Sequence, residues 1–169
     1  DVFFSFYKND CITITGTNGK STTCQLMYEV LLNQKFDTKL VGNIGNPVLS
    51  VKNVKRKTVF VIEASSYQLE YSRIFKSKYA AILNLSPDHI ERHKNLNKYI
   101  KAKFKLLKKQ CNKDLAFVNK DDLLINKELK SNNFKILNRT NNYSMMNAAI
   151  SNKKIYQQTI KTDLITLKK

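Results

Sequence analysis

The chain has 169 residues, of which 42% are apolar and 25% are charged, and this composition argues against a disordered or fibrous protein. Four glycines and two prolines leave little room for a flexible linker or a low-complexity tract. The formal charge of +17 makes nucleic acid a partner to consider. The excess is mostly lysine spread over the chain, however, and only four basic residues are arginines, which gives little material for reading bases.

Neither a membrane segment nor a cysteine framework is indicated. No apolar run approaches the roughly 20 residues that span a bilayer, and the N-terminal sequence DVFFSFYKND has an acid where a signal peptide carries a basic segment. The three cysteines, Cys11, Cys24 and Cys111, are widely spaced and form no C-x-x-C pattern. We expect a soluble cytoplasmic protein that acts as a monomer and binds neither membrane nor nucleic acid.

Short β-rich runs alternate with helical stretches along the chain. Strands are predicted at residues 11–15, 38–41, 58–64, 80–85, 115–119 and 135–138. Helices are predicted at residues 21–34, 67–75, 96–109 and 143–151. The residues expected to face inward are Leu26, Met27, Val30 and Leu31 in the first helix and Tyr99, Ile100, Phe104 and Leu107 in the third. This alternation favours an α/β fold with a mostly parallel sheet flanked by helices, in which ligands bind at the C-terminal ends of the strands.

All four glycines lie in two short segments that follow predicted strands. Gly16 and Gly19 belong to TGTNGKST, and Gly42 and Gly45 belong to GNIGNP. Glycine suits places where the backbone takes unusual angles or comes close to a ligand. The two segments are therefore the first candidates for ligand contact.

The first segment has the order strand, glycine-rich turn, Gly-Lys-Ser and helix, which is typical of a loop that binds nucleotide phosphates. In that interpretation Lys20 reaches the β- and γ-phosphates, and the Ser21 hydroxyl binds Mg²⁺. The full pattern G-x-x-x-x-G-K-[ST] is not met, because Ile14 stands where its first glycine belongs. The alternative is an ordinary strand-to-helix turn with a surface lysine.

Three further residues have unusual positions. Glu63 ends the strongest predicted strand, where a buried acid needs a role such as Mg²⁺ ligation unless it is exposed at the strand end. His89 follows Asp88 just beyond another strand, and a lone histidine there fits a structural role as well as a ligand. Lys103 falls on the inner side of its helix, although lysine side chains usually extend outward to water.

Together these segments resemble the Mur ligase family, and within it the branch that adds D-glutamate to UDP-N-acetylmuramoyl-L-alanine. The motifs that carry the resemblance are TGTNGKST from Thr15, GNIGNP from Gly42, EASSYQLE from Glu63, LNLSPDHIERH from Leu83 and YIKAK from Tyr99. The family's T-G-T-N-G-K-[ST] loop also lacks the first glycine of the general pattern. The G-N-I-G and S-S-[FY]-Q-L-E segments are the ones that indicate the D-glutamate-adding branch.

The resemblance implies a role for each matching residue. The loop residues that would bind the ATP phosphates are Gly16, Thr17, Asn18, Gly19, Lys20, Ser21 and Thr22. The residues that would bind two Mg²⁺ ions are Ser21 and Glu63 for the first and His89 and Lys103, carbamylated by CO₂, for the second. The residues that would contact the muramoyl-alanine substrate are Asn43, Ser65 and Gln68. Asn147 would contact the adenine, although Tyr143 and Ser144 depart from the family's H-N-x-x-N pattern there.

The resemblance also implies a reaction and a domain organisation. Its catalytic candidates are Lys20, His89 and Lys103. The substrate carboxylate would take the γ-phosphoryl group of ATP, and the amine of D-glutamate would attack the resulting acyl phosphate. Residues 1–169 would form the central ATP-binding domain, with a fold like that of phosphate-loop NTPases. The N-terminal UDP-binding domain and the C-terminal amino-acid-binding domain of the family are expected to be missing from this chain.

Three other functions fit parts of the sequence. Asn119-Lys120-Asp121-Asp122 matches the guanine-reading N-K-x-D of GTPases, but no glycine follows Gly45 to supply their D-x-x-G switch. The lysines that a nucleic-acid-binding module would use are Lys101, Lys105, Lys108, Lys109 and Lys113, and a solvated helix face explains them as well. The nearest alternative is another amino-acid-adding Mur ligase or a folylpolyglutamate synthase.

Overall fold

A computed structural model describes residues 1–111, 113–131 and 140–143 of the chain. Its strands are β1 (Cys11–Thr15), β2 (Thr38–Gly42), β3 (Val59–Glu63), β4 (Tyr79–Ile82), β5 (Leu115–Asn119) and β6 (Thr140–Tyr143). They form one sheet in the order β2-β3-β1-β4-β5-β6, and every neighbouring pair is parallel. The predicted α/β fold with a parallel sheet is confirmed.

Helices connect the strands. They are α1 (Val2–Phe6), α2 (Lys20–Asn33), α3 (Ser66–Tyr71), α4 (Ile90–His93), α5 (Leu96–Lys108) and α6 (Leu123–Ser131), and a 3-10 turn covers Val48–Ser50. Within the described ranges, none of these helices has the length and apolarity needed to cross a membrane.

The middle of the sheet is buried on both faces. All five residues of β1 and all five of β3 are buried, as expected for central strands of a parallel sheet with helices on either side. The apolar cluster on one face includes Ile12, Ile14, Cys24 and Leu31. The cluster on the other face includes Phe60, Ile62, Tyr99 and Phe104. Helices α2 and α5 therefore hold the C-terminal ends of β1 and β3 between them.

The inward face of α2 differs from the prediction. Cys24 and Leu31, seven residues apart, are fully buried, whereas Leu26 is 57% exposed. Each helical residue turns about 100° from the last, so Leu26 points almost opposite to Cys24 once Cys24 faces the sheet. The prediction that Leu26 is buried was wrong. The predicted inward face of α5, in contrast, is confirmed in full.

Several element boundaries also differ. Helix α3 stops at Tyr71, four residues before the predicted end, because Ser72 takes an extended backbone conformation. Strand β4 ends at Ile82 rather than at residue 85. The strand predicted at residues 135–138 lies outside the described residues, as does all of the predicted helix 143–151 except Tyr143, which ends β6.

Helix α6 was not predicted. Its first turn is capped by Asp122, whose Oδ1 accepts hydrogen bonds from the N–H groups of Leu124 and Ile125 at 2.9 and 3.0 Å. The other carboxylate oxygen of Asp122 accepts from the Leu85 N–H at 2.6 Å. The N-K-x-D match at residues 119–122 therefore has a structural explanation, because its aspartate joins α6 to the segment that follows β4.

Candidate active site

The loop between β1 and α2 lies at the C-terminal edge of the sheet. Helix α2 begins at Lys20, and Gly19 before it has φ of 78°, a left-handed conformation that glycine adopts without steric cost. No side chain caps this helix end. The N–H groups of its first turn are therefore available to an anion such as a phosphate group.

Lys20 folds back over the same loop. Its Nζ donates a hydrogen bond to the Thr17 carbonyl oxygen at 2.6 Å. The ammonium group is thus held above the loop rather than extended into solvent. This placement brings one positive charge and the N-terminus of α2 to the same site, which agrees with the predicted phosphate-binding role.

Glu63 is buried at the end of β3, with 1% of its surface exposed. Its Oε1 accepts a hydrogen bond from the Asn43 amide at 2.9 Å, whereas its Oε2 is buried without any hydrogen-bond partner among the described residues. A buried carboxylate oxygen without a partner is costly, so this oxygen fits a bound cation. Mg²⁺ commonly binds through one or two protein carboxylates together with substrate phosphates.

The backbone beside Glu63 explains why the second glycine segment is needed. Gly42 has φ of 111°, and a Cβ atom there would lie 2.3 Å from the Glu63 carbonyl oxygen. That same carbonyl accepts a hydrogen bond from the Asn43 N–H at 3.0 Å. Only glycine at position 42 lets Asn43 reach both the backbone and the carboxylate of Glu63.

Lys103 reaches the loop between β1 and α2 from α5. Its Nζ donates to the Gly16 carbonyl oxygen at 2.8 Å and lies 4.8 Å from the centre of the Tyr99 ring. The residue is 2% exposed. Burial, reinforced by the positive charge of Lys20, lowers the pKa of Lys103 to about 7, against the weaker opposite effects of Asp88 and Glu63. The predicted inward position of Lys103 is confirmed.

Ser65 and Gln68 bond each other at the start of α3. The Gln68 side chain accepts hydrogen bonds from the Ser65 N–H at 2.9 Å and the Ser65 hydroxyl at 3.1 Å, and the Ser65 hydroxyl accepts from the Gln68 N–H at 3.3 Å. This is a capping box. Gln68 keeps its amide nitrogen free for another contact, so the two residues can hold the loop and still face a substrate.

His89 lies at the N-terminus of α4. Its side chain is exposed, in contrast to that of Glu63. Its ring pairs with Asp88 at 3.4 Å and lies 5.0 Å from the centre of the Tyr67 ring. Across the part of the chain that the structure describes, no group of three or more His, Cys, Asp or Glu side chains gathers as a metal site. Glu63 and His89 therefore do not belong to such a group within the described ranges, and Asn147 lies outside them.

Thr17 was given a phosphate-binding role from sequence, whereas two polar residues near these candidates, Asn84 and His93, were not given roles. The Thr17 hydroxyl contacts Ser86 and Tyr99, and the Asn84 side chain bonds the backbone of Asn18. The buried His93 ring lies 2.9 Å from the Ser66 hydroxyl. Asn84 and His93 belong to the LNLSPDHIERH motif, so the sequence could indicate that they lie near the site. It could not indicate which residues they contact.

The comparisons with known proteins agree with this arrangement of glycine loops, buried acid and buried lysine. The sequence matches the family described as the Mur ligase middle domain over residues 14–168. The chain belongs to the Mur ligase family. The predicted resemblance is confirmed.

Curated members of the family align with this chain through the middle part of their own sequences. The UDP-N-acetylmuramoylalanine--D-glutamate ligase of Alkaliphilus oremlandii is 46% identical over 120 residues, which cover 70% of this chain and 26% of that protein. The ligase of the same name from Clostridioides difficile is 42% identical over 127 residues, or 75% of this chain and 28% of that protein. This chain spans about a quarter of the length of these relatives.

Solved Mur ligase structures share the fold. A UDP-N-acetylmuramoyl-L-alanyl-D-glutamate--2,6-diaminopimelate ligase has a TM-score of 0.64 at 28% identity, over 82% of this chain and 32% of that one. The MurF ligase from Thermotoga maritima, in complex with ADP, has a TM-score of 0.64 at 19% identity, over 85% of this chain and 34% of that one. The predicted fold of a Mur ligase central domain is therefore confirmed.

Proposed function

We propose that this chain is the ATP-binding part of a ligase that joins D-glutamate to UDP-N-acetylmuramoyl-L-alanine for peptidoglycan precursor synthesis. The observation that carries the proposal is the buried Glu63 carboxylate, one oxygen of which has no hydrogen-bond partner among the described residues, at the same edge of the sheet as the loop that contains Lys20. The names of the curated relatives favour D-glutamate as the amino acid.

In this proposal the phosphate loop binds ATP through main-chain and side-chain donors. The N–H groups from Gly19 to Thr22 face the phosphates, and Lys20 exchanges its bond with the Thr17 carbonyl for one with a phosphate oxygen. A carboxylate that attacks ATP is one anion approaching another. Lys20 therefore lowers the barrier by neutralising charge on the γ-phosphoryl group in the transition state.

Two residues fit a Mg²⁺ ion at the phosphates. Glu63 supplies the free Oε2, and the Ser21 hydroxyl lies in the exposed first turn of α2. A bound Mg²⁺ ion would neutralise phosphate charge, as metal ions do in phosphoryl transfer. Asn43 orients the carboxylate by holding Oε1, so that Oε2 is the oxygen left for the ion.

Lys103 suits carbamylation. Its pKa of about 7 leaves a large neutral fraction of the amine at neutral pH, and the neutral amine is the form that reacts with CO₂. The nitrogen forms a bond to the carbon of CO₂, one proton leaves to water, and the product is an anionic carbamate. This anion would assist His89 in binding a second Mg²⁺ ion beside the acceptor carboxylate, with Asn43, Ser65 and Gln68 contacting the muramoyl-alanine substrate.

The reaction then needs no nucleophilic side chain. The acceptor carboxylate takes the γ-phosphoryl group and ADP leaves. The amine of D-glutamate attacks the acyl phosphate, a tetrahedral intermediate collapses, and phosphate leaves as the amide forms. Since the chain spans about a quarter of its relatives' length, the walls that hold the UDP group and D-glutamate belong to other parts of the ligase.

A chimeric ligase tests this function. Residues 11–150 replace the matching part of the Clostridioides difficile relative, and mass spectrometry follows the amide formed from ATP, UDP-N-acetylmuramoyl-L-alanine and an amino acid. The chimera should join D-glutamate, and the Lys20→Ala chimera should lose at least about a hundredfold of the rate, as expected for a lost transition-state contact. An active chimera whose rate is unchanged by Lys20→Ala would contradict the proposal.

The 169-residue chain alone gives a second test. We expect it to bind Mg·ATP yet form no amide, because the acceptor, ATP and amine must be held together for the near-attack geometry. Amide formation within tenfold of the intact relative's rate would show that the functional unit is smaller than the proposal requires.

A further inference from the structure

The pairing of β1 with β4 continues past the ends of both strands into the phosphate loop. The Leu83 N–H donates to the Thr15 carbonyl oxygen at 3.0 Å, and two residues later the Thr17 N–H donates to the Asn84 carbonyl oxygen, also at 3.0 Å. Beyond this point side chains take over the pairing. Residues 84–86 therefore run beside the first half of the loop.

Asn84 bonds the backbone of one loop residue, Asn18, at both its N–H and its carbonyl group. Its Oδ1 accepts a hydrogen bond from the Asn18 N–H at 2.9 Å, and its Nδ2 donates to the Asn18 carbonyl oxygen at 3.0 Å. A side-chain amide presents a donor and an acceptor side by side in one planar group. The two peptide groups on either side of the Asn18 Cα are therefore each held by one hydrogen bond, which fixes the backbone of that residue.

Thr17 fixes the loop from its buried side. Its Oγ1 donates to the Ser86 carbonyl oxygen at 3.2 Å, accepts from the Ser86 N–H at 3.0 Å, and lies 2.9 Å from the Tyr99 hydroxyl. A hydroxyl has one proton to donate and two lone pairs that accept. With the Tyr99 hydroxyl as donor, the hydrogen-bonding capacity of Thr17 is fully used inside the protein. Its side chain is thus a structural anchor rather than a phosphate ligand.

We propose that Thr17 and Asn84 are positioning residues, which hold the phosphate loop in one conformation against residues 84–86 before nucleotide binds. The proposal rests on the nucleotide-binding role of the loop proposed above. A loop that is ordered in advance loses less conformational entropy on binding, so its affinity for Mg·ATP is higher. Because His89 follows three residues after Ser86, the same contacts also fix the loop relative to this candidate metal ligand.

The test compares two threonine-to-valine changes, one in the loop after β1 and one in the middle of β1. Thr17→Val removes the anchoring hydroxyl and keeps the side-chain shape, whereas Thr17→Ser keeps the hydroxyl. Thr13→Val is the matched control, because the Thr13 hydroxyl is also buried and bonds Ser77 at 2.8 Å, in the middle of β1 and outside the loop. Asn84→Ala, at a half-buried position, gives a second variant that keeps the buried core intact.

Two readouts are needed on the 169-residue chain: amide hydrogen exchange of Thr17 and Asn18 without nucleotide, and Mg·ATP affinity by calorimetry. Thr17→Val should raise the exchange rates and weaken affinity about tenfold each, as loss of buried hydrogen bonds predicts. Asn84→Ala should act in the same direction at Asn18. Thr17→Ser should stay within about threefold of the parent, and Thr13→Val should change global stability without a selective effect on the loop.

The outcomes separate this inference from the proposed function. Unchanged exchange at Thr17 and Asn18 in both Thr17→Val and Asn84→Ala overturns the positioning role, even if ATP binds. Equal loop exchange in Thr13→Val and Thr17→Val overturns it as well, since the effect would then be global. If the parent chain binds no Mg·ATP but Thr17→Val and Asn84→Ala still exchange faster than the parent at the loop, the anchoring stands. Nucleotide binding by the loop is then contradicted.

Discussion

Lys103 is buried where a permanent positive charge is unfavourable. Burial lowers its pKa from 10.5 to about 7, so below pH 7 both the folded and the unfolded chain carry the proton and the burial penalty is fully present. Between pH 7 and 10.5 the Lys103 proton is bound mostly in the unfolded chain. The unfolding free energy contributed by this group therefore rises with pH in that window, by up to about 1.4 kcal/mol per pH unit.

Lys103→Met removes this titration. Between pH 7 and pH 9, the parent chain should gain about 2 kcal/mol of unfolding free energy relative to the variant, measured by urea denaturation in CO₂-free buffer. Lys101→Met, which removes an exposed lysine from the same helix, is the charge control. A parallel pH dependence of the parent and Lys103→Met would mean that Lys103 keeps its proton when folded.

Glu63 should be replaceable in the absence of metal. Glu63→Gln keeps the oxygen that accepts from Asn43 and removes a buried negative charge that has an unpartnered oxygen. We expect its unfolding free energy without Mg²⁺ to stay within about 1 kcal/mol of the parent, while the stabilisation by Mg·ATP is lost.

Thermal unfolding with and without Mg·ATP measures both effects. Glu29→Gln is the matched control, because Glu29 is exposed on α2 and bonds only Gln25 among its neighbours in the structure. A metal-ligand role for Glu63 is excluded if Glu63→Gln unfolds several degrees earlier without Mg²⁺ but is stabilised by Mg·ATP as much as the parent is.

At the scale of elements, α5 is the helix that brings Lys103 and Tyr99 to the phosphate loop. Its first turn is capped by Asn95, whose side chain accepts a hydrogen bond from the Lys98 N–H at 2.9 Å. Asn95→Ala should therefore lower the unfolding free energy by about 1 kcal/mol, the usual cost of a lost N-cap. Asn97→Ala, two residues further along the exposed side, should change it by less than about 0.5 kcal/mol.

Urea denaturation of these two variants tests the cap. Equal stability of Asn95→Ala and Asn97→Ala would show that packing of the buried residues of α5, rather than its cap, fixes where the helix begins.

The elements that could be predicted from sequence are those with a strong apolar pattern. The predicted bounds of β1 agree with the structure, and those of β3 and α5 agree within one residue at each end. Helix α6 was missed because its start depends on Asp122, which also bonds Leu85 at a distant position in the chain. The inward face of α2 was predicted wrongly because Cys24 is fully buried there, and the predicted apolar stripe did not contain Cys24.

Within the candidate site, the residue types were predictable but their partners were not. The inward position of Lys103 follows from helix periodicity, and the glycine segments follow from their place after strands. The bond between Asn43 and Glu63 joins residues 20 positions apart, and the contacts of Thr17 with Ser86 and Tyr99 join residues 69 and 82 positions apart. Such pairs depend on strand order, which puts β3 and β4 on either side of β1.

At the scale of the whole molecule, the sheet collects the candidate residues at one edge. β1 carries the phosphate loop, β3 carries Glu63, and β2 leads into Asn43, so three neighbouring strands contribute to one site. Ligands of open parallel sheets bind at this C-terminal edge. The apolar clusters on both faces of the sheet lie within the described ranges, so we expect this domain to fold without its neighbours.

Calorimetric titration of the 169-residue chain with Mg·ATP tests the central claim, that this edge of the sheet binds the phosphates of ATP. The account predicts saturable binding that requires Mg²⁺ and is weakened at least tenfold by Lys20→Ala, since a hydrogen bond to a charged group contributes about 1.5–3 kcal/mol. Lys39→Ala, at the opposite end of β2 from Gly42, should leave the affinity unchanged. No binding by the parent chain, or equal affinity for the parent and Lys20→Ala, would contradict the account.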